Sequence, residues 1–268
     1  MTTATSKASK TRVILVGVGG ASCAGKTSLA KHLRRLLSPH AVLLHMDDFA
    51  PASEDVPISK EHGIQDWDDP ETCILWPKAR AAIAQIKKTG HLPPGHTSND
   101  HLNQLSAVGI EPEAEAYWTA ELRRVADDSA ARGEDIVWVL IDGFVLYYDA
   151  EVASLLDVKL FVQVPYDVLK ARREKRSTYA LQNPDSIGEV WTDPPNYFDN
   201  IVYPGYLKAH AHLFANGDVE HGALLPGTGI TVLRPGEGVP GMTKIVSQAC
   251  EVLVEDVKDG KKVFVEAA

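Results

Sequence analysis

The sequence contains no apolar run long enough to cross a membrane, so a membrane-spanning protein is not expected. Basic residues are in the minority: 27 lysines and arginines stand against 36 aspartates and glutamates, a formal net charge of −9. Proteins that bind nucleic acid usually present a basic face, so a nucleic-acid partner is not expected either. The three cysteines form no C-x-x-C pair, which favours a reducing compartment: the cytoplasm, with the nucleus as a further location.

The length of the chain sets its expected domain organisation. Residues 1–10 are small and polar and lack the apolar core of a signal peptide, so they are predicted to form a disordered tail. The remaining residues, 11–268, are predicted to form one large domain with a substantial core, although the length would also allow two small domains. The sequence defines no oligomeric state.

Apolar, β-branched runs alternate with helical patterns along the chain. The runs predicted as strands are 13–16, 41–46, 136–141, 158–164 and 230–233. The patterns predicted as helices are 28–37, 71–88, 113–130, 166–181, 199–215 and 243–256. This alternation predicts an α/β fold with a doubly wound, mostly parallel sheet and helices on both faces. Ligands of such sheets bind at the carboxyl ends of the strands. Three irregular stretches, 50–70, 89–112 and 177–197, are long enough to be lids or substrate loops.

A phosphate-binding loop lies between the first strand and the first helix. Residues 20–27 match G-x-x-x-x-G-K-[ST], whose backbone N–H groups surround phosphates at a helix N-terminus. In this motif Lys26 reaches the β- and γ-phosphates, and the Thr27 hydroxyl binds Mg²⁺. A glycine-rich turn that binds nothing is the alternative. The residues predicted to bind ATP are Gly20, Ala21, Ser22, Cys23, Ala24, Gly25, Lys26, Thr27 and Ser28.

Acidic residues follow two of the predicted strands. Asp47 and Asp48 come directly after the second strand, where a carboxylate can accept the proton of an acceptor hydroxyl. A turn or helix cap is the alternative for this pair. Asp142 ends the run 136–141 and resembles the acidic residue that holds the Mg²⁺ shell opposite the loop threonine. The alternative for Asp142 is that it caps the next element of secondary structure.

A cluster of basic residues follows the fourth strand. Arg172, Arg173, Lys175 and Arg176 lie in the helix predicted over 166–181, and Arg172 and Arg176 share one face of it. They are predicted to form a helical lid, over about 166–197, that neutralises charge on the transferring phosphoryl group. A solvated basic face is the alternative.

Two aromatic–acid pairs lie in the irregular stretches. Trp67-Asp68 and the segment from Trp191 to Asp193 either pack on the protein surface or stack on a planar ring of a substrate. A third feature is the recurrence of histidine at 91, 96 and 101. It is interpreted as a solvated loop, with a metal site as the alternative, because this spacing matches no known ligand pattern.

Together these motifs resemble the nicotinamide riboside kinases of the uridine-kinase-like P-loop group. The matching segments occur in one order over residues 13–214: 20–27, Asp47-Asp48-Phe49, Trp67-Asp68, Asp142-Gly143-Phe144, Pro165-Tyr166 leading to Arg172-x-x-x-Arg176, 193–199 and 203–208. The family often has Tyr at the position of Trp67 and Glu at that of Asp142.

The resemblance implies a reaction and a set of roles. ATP and Mg²⁺ would phosphorylate the ribose 5′-hydroxyl of nicotinamide riboside, giving nicotinamide mononucleotide for NAD salvage. Asp47 would be the general base, with Lys26, Arg172 and Arg176 as the other catalytic residues. Thr27 and Asp142 would hold the metal. Substrate contacts would come from Asp47, Trp67, Asp68, Arg173, Trp191 and Asp193, with Tyr179 as the alternative to Trp191 in an aromatic clamp.

Two other functions remain open at this stage. A uridine or cytidine kinase would share the loop, the base and the lid, but it would need edge hydrogen bonds for a neutral ring. Two indoles suit the cationic nicotinamide ring better. A nucleotide-binding switch protein is the second alternative, although the N-K-x-D tetrapeptide of guanine-reading switches is missing from the sequence.

Overall fold

The computed structural model describes residues 10–98, 100, 108–176, 179–180, 190–259 and 264–265. The predicted tail lies outside these residues, except for Lys10. The prediction is wrong at Lys10, which begins the first strand: it pairs with Glu134, and its backbone N–H donates to the carbonyl oxygen of Gly133 at 3.0 Å.

A parallel sheet forms the centre of the domain. Its main strands are β1 (Lys10–Gly20), β2 (Ala41–His45), β3 (Glu134–Gly143), β4 (Val158–Val162) and β7 (Ile230–Leu233), in the order β2-β3-β1-β4-β7. The short β8 (Phe264–Val265) pairs antiparallel with the beginning of β1. Residues 12–20 of β1 are all buried, so both faces of the sheet are covered. The predicted α/β fold with a parallel, doubly wound sheet is confirmed.

Seven α-helices lie in the described part of the chain. They are α1 (Lys26–Leu36), α2 (Trp76–Thr89), α3 (Pro112–Ala131), α4 (Ala150–Leu155), α5 (Tyr166–Lys175), α6 (Tyr203–His210) and α7 (Gly238–Asp259). Helices α1, α3 and α7 pack against one another, while α2 packs on β1 and on α4. Among the described residues no helix combines the length and apolarity needed to span a bilayer.

Several predicted boundaries are wrong for local reasons. Helix α2 begins at Trp76 rather than residue 71 because Pro77, which has no backbone N–H, is accommodated only in a first turn. The predicted helix over 199–215 is divided into a π-helical turn, α6 and a 3₁₀ turn. The short helix α4 was not predicted, although Asp149 caps it by accepting from the backbone N–H of Val152 at 2.9 Å.

The helix predicted over 166–181 ends at Lys175. Arg176 has a non-helical backbone (ψ 80°), and the chain then enters β5 (Tyr179–Ala180), which pairs antiparallel with β6 (Val190–Trp191). Residues 179–180 therefore pair as a strand where a helix was predicted, as tertiary context often overrides helix propensity. The irregular stretch 177–197 contains this hairpin, and Trp191 lies at its end.

Candidate active site

The phosphate-binding loop joins β1 to α1, as predicted. Gly20 pairs with Val162 of β4 and has φ +133°, and a Cβ there would lie 2.3 Å from the Val162 carbonyl oxygen. Gly25, with φ +99°, occupies the N-cap of α1. Both positions therefore require glycine, which has no Cβ to clash or to oppose positive φ. The loop conformation follows from these two residues and from the strand pairing.

Lys26 is held inside the loop. Its Nζ donates to the carbonyl oxygen of Ala21 at 2.8 Å, and its side chain is buried. Burial lowers the pKa of Lys26, although the negative charges of Asp47 and Asp142 oppose this effect. The ammonium group therefore lies near two carboxylates. In phosphate-binding loops of this type, the lysine at this position contacts the β- and γ-phosphates.

A cavity of about 540 Å³ opens above the loop. Most of the predicted site residues line it: residues 22–28, Asp47, Trp67, Asp68, Asp142, Arg172, Arg173, Arg176 and Trp191. Three do not. Gly20 and Ala21 are buried at the start of the loop, and Asp193 is hydrogen-bonded to Arg173. The cavity lies at the carboxyl ends of β1, β2 and β3, where ligands of doubly wound sheets bind.

Asp142 and Thr27 form one polar corner of the cavity. Thr27 Oγ1 donates to Asp142 Oδ2 at 2.6 Å, and His45 Nδ1 donates to the other carboxylate oxygen, also at 2.6 Å. The parallel register explains the second contact, because His45 and Asp142 are paired residues of β2 and β3. A hydroxyl and a carboxylate are the oxygen donors that Mg²⁺ prefers, so these residues suit a bound metal ion.

The His45–Asp142 pair was not predicted from the sequence. Burial opposes a charge on His45, but the hydrogen bond to Asp142 and the charges of Asp142, Asp100 and Asp48 raise its pKa to about 9. Burial opposes the charge on Asp142 as well, yet the contacts from His45 and Thr27 and the charge of Lys26 lower its pKa. The pair is therefore an imidazolium next to a carboxylate at neutral pH.

Asp47 and Asp48 lie on a 3₁₀ turn, Met46–Phe49, directly after β2. Asp47 is open to the cavity, whereas Asp48 is buried and faces away from it. The Asp47 side chain is exposed within the cavity, and protein surrounds it on the other sides. Desolvation there, together with the charge of Asp142, raises its pKa to about 6, against the opposing charges of Lys26 and His45. A carboxylate with such a pKa is ionised at neutral pH and can still take up a proton.

The basic residues of α5 reach the phosphate-binding loop. Arg172 donates from one terminal nitrogen to the carbonyl oxygen of Cys23 at 3.3 Å, and Arg173 donates to Ser22 Oγ at 2.9 Å. Because α5 ends at Lys175, Arg176 does not share a helical face with Arg172, and that prediction is wrong. Both arginines still line the same cavity.

A chain of hydrogen bonds connects this loop to the second tryptophan. Arg173 binds both oxygens of Asp193, with Nε donating at 2.6 Å and a terminal nitrogen at 2.8 Å. Trp191 Nε1 donates to Asp193 Oδ1 at 2.9 Å. Since Arg173 also contacts Ser22, the position of the Trp191 indole is linked to the phosphate end of the cavity.

Trp67 and Trp191 lie side by side at the other end of the cavity. Their ring centroids are 5.8 Å apart, and the ring planes are inclined at 58°. A flat ring between two parallel indoles needs a separation of about 7 Å, twice a van der Waals contact. One indole must therefore move before a ring can enter between them. Tyr179 pairs with Trp191 in the hairpin backbone, and its side chain lies outside the described residues.

Asp68 is buried next to Trp67. Desolvation raises its pKa to about 7, helped by Asp66, Asp193 and Asp47 and opposed by the charge of Arg173. Gly205 of α6 approaches it closely, because a Cβ at that position would lie 2.4 Å from the Asp68 carbonyl oxygen. The contact fixes the backbone that carries both Trp67 and Asp68.

The predictions missed the far wall of the cavity. Pro235, Gly236 and Gly238 follow β7, and together with Met242 of α7 they line the cavity next to the phosphate-binding loop. No motif in residues 215–268 indicated this.

Of the three loop histidines, His101 lies outside the described residues. His91 Nδ1 lies 2.6 Å from the carbonyl oxygen of Thr89, whereas His96 contacts Asp48. No cluster of His, Cys, Asp or Glu suited to a metal occurs in the described residues.

Comparisons with known proteins give a consistent result. Nicotinamide riboside kinase of Eremothecium gossypii is 37% identical over 213 residues, which cover 80% of this chain and 82% of the relative. Nicotinamide riboside kinase of Saccharomyces cerevisiae is 34% identical, covering 78% and 82%. Human nicotinamide riboside kinase 2 is 27% identical, covering 76% and 70%. A search of protein-family models gives no match. The identity and coverage of the two fungal relatives establish the family: this chain belongs to the nicotinamide riboside kinases.

Proposed function

We propose that this protein transfers the γ-phosphoryl group of ATP to the 5′-hydroxyl of nicotinamide riboside, giving nicotinamide mononucleotide and ADP. One observation carries the proposal: a single cavity joins a phosphate-binding loop, an open carboxylate and two indoles, in a chain of the nicotinamide riboside kinase family. The partners are therefore the nucleoside and ATP. The three cysteines are free thiols, which is consistent with a cytoplasmic location.

The phosphate end of the cavity is proposed to bind Mg²⁺-ATP. The loop backbone and Lys26 hold the β- and γ-phosphates, and Thr27 and Asp142 hold the metal ion. Mg²⁺ bound there would neutralise charge on the phosphate oxygens. Arg172 and Arg176 face the same space and stabilise the negative charge of the transferring group.

Asp47 is proposed as the general base. It is open to the cavity close to Lys26 and Asp142, and its pKa of about 6 leaves it ionised at neutral pH. It orients the 5′-hydroxyl and accepts its proton as the oxygen attacks the γ-phosphorus. The proton ends on the Asp47 carboxylate, and ADP is the leaving group.

The nucleoside is proposed to occupy the end formed by Trp67, Asp68 and Trp191. Asp68 and the Arg173–Asp193 pair offer polar groups to the ribose. The indoles bind the ring through cation–π attraction, since the nicotinamide nitrogen of the riboside carries a fixed positive charge. The contact between the two indoles means that ring binding is coupled to a movement of Trp191 or Trp67.

ATP consumption with and without nucleoside tests the proposed activity. A kinase consumes ATP at a substantial rate only when its acceptor is present, so adding nicotinamide riboside should start ADP formation. Lys26→Ala serves as the control, because it removes the phosphate contact and should abolish the response. A rate of ATP consumption that does not change with any added nucleoside would favour a nucleotide-binding switch protein instead.

A further inference from the structure

The segment formed by residues 91–98 and 100, called the strap below, lies against the edge of the active site. It was predicted only as an irregular stretch. Three of its polar side chains contact the 3₁₀ turn after β2, the end of β2 or α1: His96, Ser98 and Asp100. Their partners include the neighbour of the proposed base and the histidine next to the proposed metal site.

Asp48 receives two of these contacts. His96 Nε2 donates to Asp48 Oδ2 at 3.1 Å, and Ser98 Oγ donates to Asp48 Oδ1 at 2.8 Å. The Asp48 side chain is only 1% exposed, so a carboxylate without these donors would be costly to bury. The His96 ring also lies 6.0 Å from the ring of Phe49. The strap therefore fixes the orientation of Asp48.

The orientation of Asp48 bears directly on Asp47. The two residues are neighbours on a single 3₁₀ turn, in which one carboxylate faces the cavity and the other faces the strap. The turn is tied at its end, where the backbone N–H of Leu75 donates to the Phe49 carbonyl oxygen at 2.8 Å. Rotation of the turn would take Asp48 away from His96 and Ser98 and would redirect Asp47.

A second contact holds the strap at the metal side. Asp100 Oδ2 lies 2.6 Å from Lys31 Nζ of α1 and 3.6 Å from His45 Nε2. His45 in turn donates to Asp142. The strap thus contacts the surroundings of both the base and the proposed metal ligand, although it lies some fifty residues further along the chain than Asp48.

We propose that the strap is a positioning element for phosphoryl transfer, in which His96 and Ser98 act through Asp48 to aim the Asp47 carboxylate at the acceptor hydroxyl. The proposal rests on the role of Asp47 given above. Neither strap residue is required to touch substrate. Since an error of about 1 Å in the position of a reacting group can lower a rate a hundredfold, a contact to the neighbouring residue is enough to affect kcat.

A double-mutant cycle between His96 and Asp47 tests this proposal. His96→Ala should lower kcat by about 10- to 100-fold and leave KM for ATP within twofold, since the phosphate loop is untouched. His96→Gln retains a donor and should recover most of the rate. In an Asp47→Asn background His96→Ala should have no further effect, because the group that it aims is gone. His91→Ala is the matched control, since His91 is an exposed histidine of the same strap.

The outcomes separate positioning from a merely structural role. An unchanged kcat in His96→Ala, or a loss of the same size in the Asp47→Asn background, would overturn the proposal. If His96→Ala does not fold, Ser98→Ala takes its place in the same cycle and is judged by the same two criteria. Failure of the proposed function would look different: wild type would not phosphorylate nicotinamide riboside, and the cycle would be run with whichever nucleoside it does phosphorylate.

Discussion

The pKa of Asp47 makes the pH dependence of the reaction a sharp test of its role. A general base works only when deprotonated, so kcat/KM should fall as the pH drops through the pKa of the free enzyme. With a pKa of about 6, half of Asp47 is ionised near pH 6. At one pH unit below the pKa about a tenth is ionised, so kcat/KM at pH 5 should be about a tenth of its plateau. An ordinary aspartate with a pKa of about 3.9 would keep more than nine-tenths of its activity at that pH.

The assay is initial-rate product formation at subsaturating nucleoside from pH 5 to pH 8. Phosphate groups and Asp68, with a pKa of about 7, titrate in the same range and must be separated from Asp47. The Asp47→Asn variant retains Asp68 and uses the same phosphate-containing substrates, but it lacks the base, so its pH profile is the control. We expect its rate to be lower by about 10²–10⁴ and the step near pH 6 to disappear. A wild-type profile that stays flat down to pH 5, or an identical step in Asp47→Asn, would show that Asp47 is not the general base.

Four further variants examine other parts of the site. Arg172→Ala and Arg176→Ala should each lower kcat with little change in melting temperature, because these side chains face the cavity; kinetically silent changes at both positions would remove the arginines from the mechanism. Trp67→Leu should reduce kcat/KM for nicotinamide riboside by up to about thirtyfold, since cation–π attraction is worth up to about 2 kcal/mol, and should affect uridine less; equal losses would argue against a cation–π contact. Gly205→Ala should lower the melting temperature and weaken nucleoside binding, because its Cβ would clash with the Asp68 carbonyl oxygen. A normal melting temperature and normal nucleoside binding would show that α6 can shift to accommodate the Cβ.

Local sequence patterns predicted the parts of the site that depend on one segment. The phosphate-binding loop follows from two glycines and from its position between a strand and a helix. Asp47 follows the end of β2 and Asp142 lies near the end of β3, and parallel strands bring such ends to one edge of the sheet. These residues lie where the patterns predicted them, around one cavity.

Contacts between distant segments could not be predicted in this way. His45 pairs with Asp142 only because β2 lies next to β3, and the strap contacts Asp48 from a stretch without periodicity. The loop after β7 lines the cavity because β7 lies at the sheet edge next to β4. The early end of α5 depends on a hairpin whose pairing no local propensity indicates.

Nicotinamide riboside is the proposed acceptor of the phosphoryl group. The most direct measurement is a nucleoside panel at fixed Mg²⁺-ATP, containing nicotinamide riboside, uridine and cytidine, with the phosphorylated products quantified by mass. We expect nicotinamide mononucleotide as the main product and a kcat/KM for nicotinamide riboside well above the values for both pyrimidine nucleosides. A higher kcat/KM for uridine or cytidine would instead make the protein a pyrimidine nucleoside kinase in its activity.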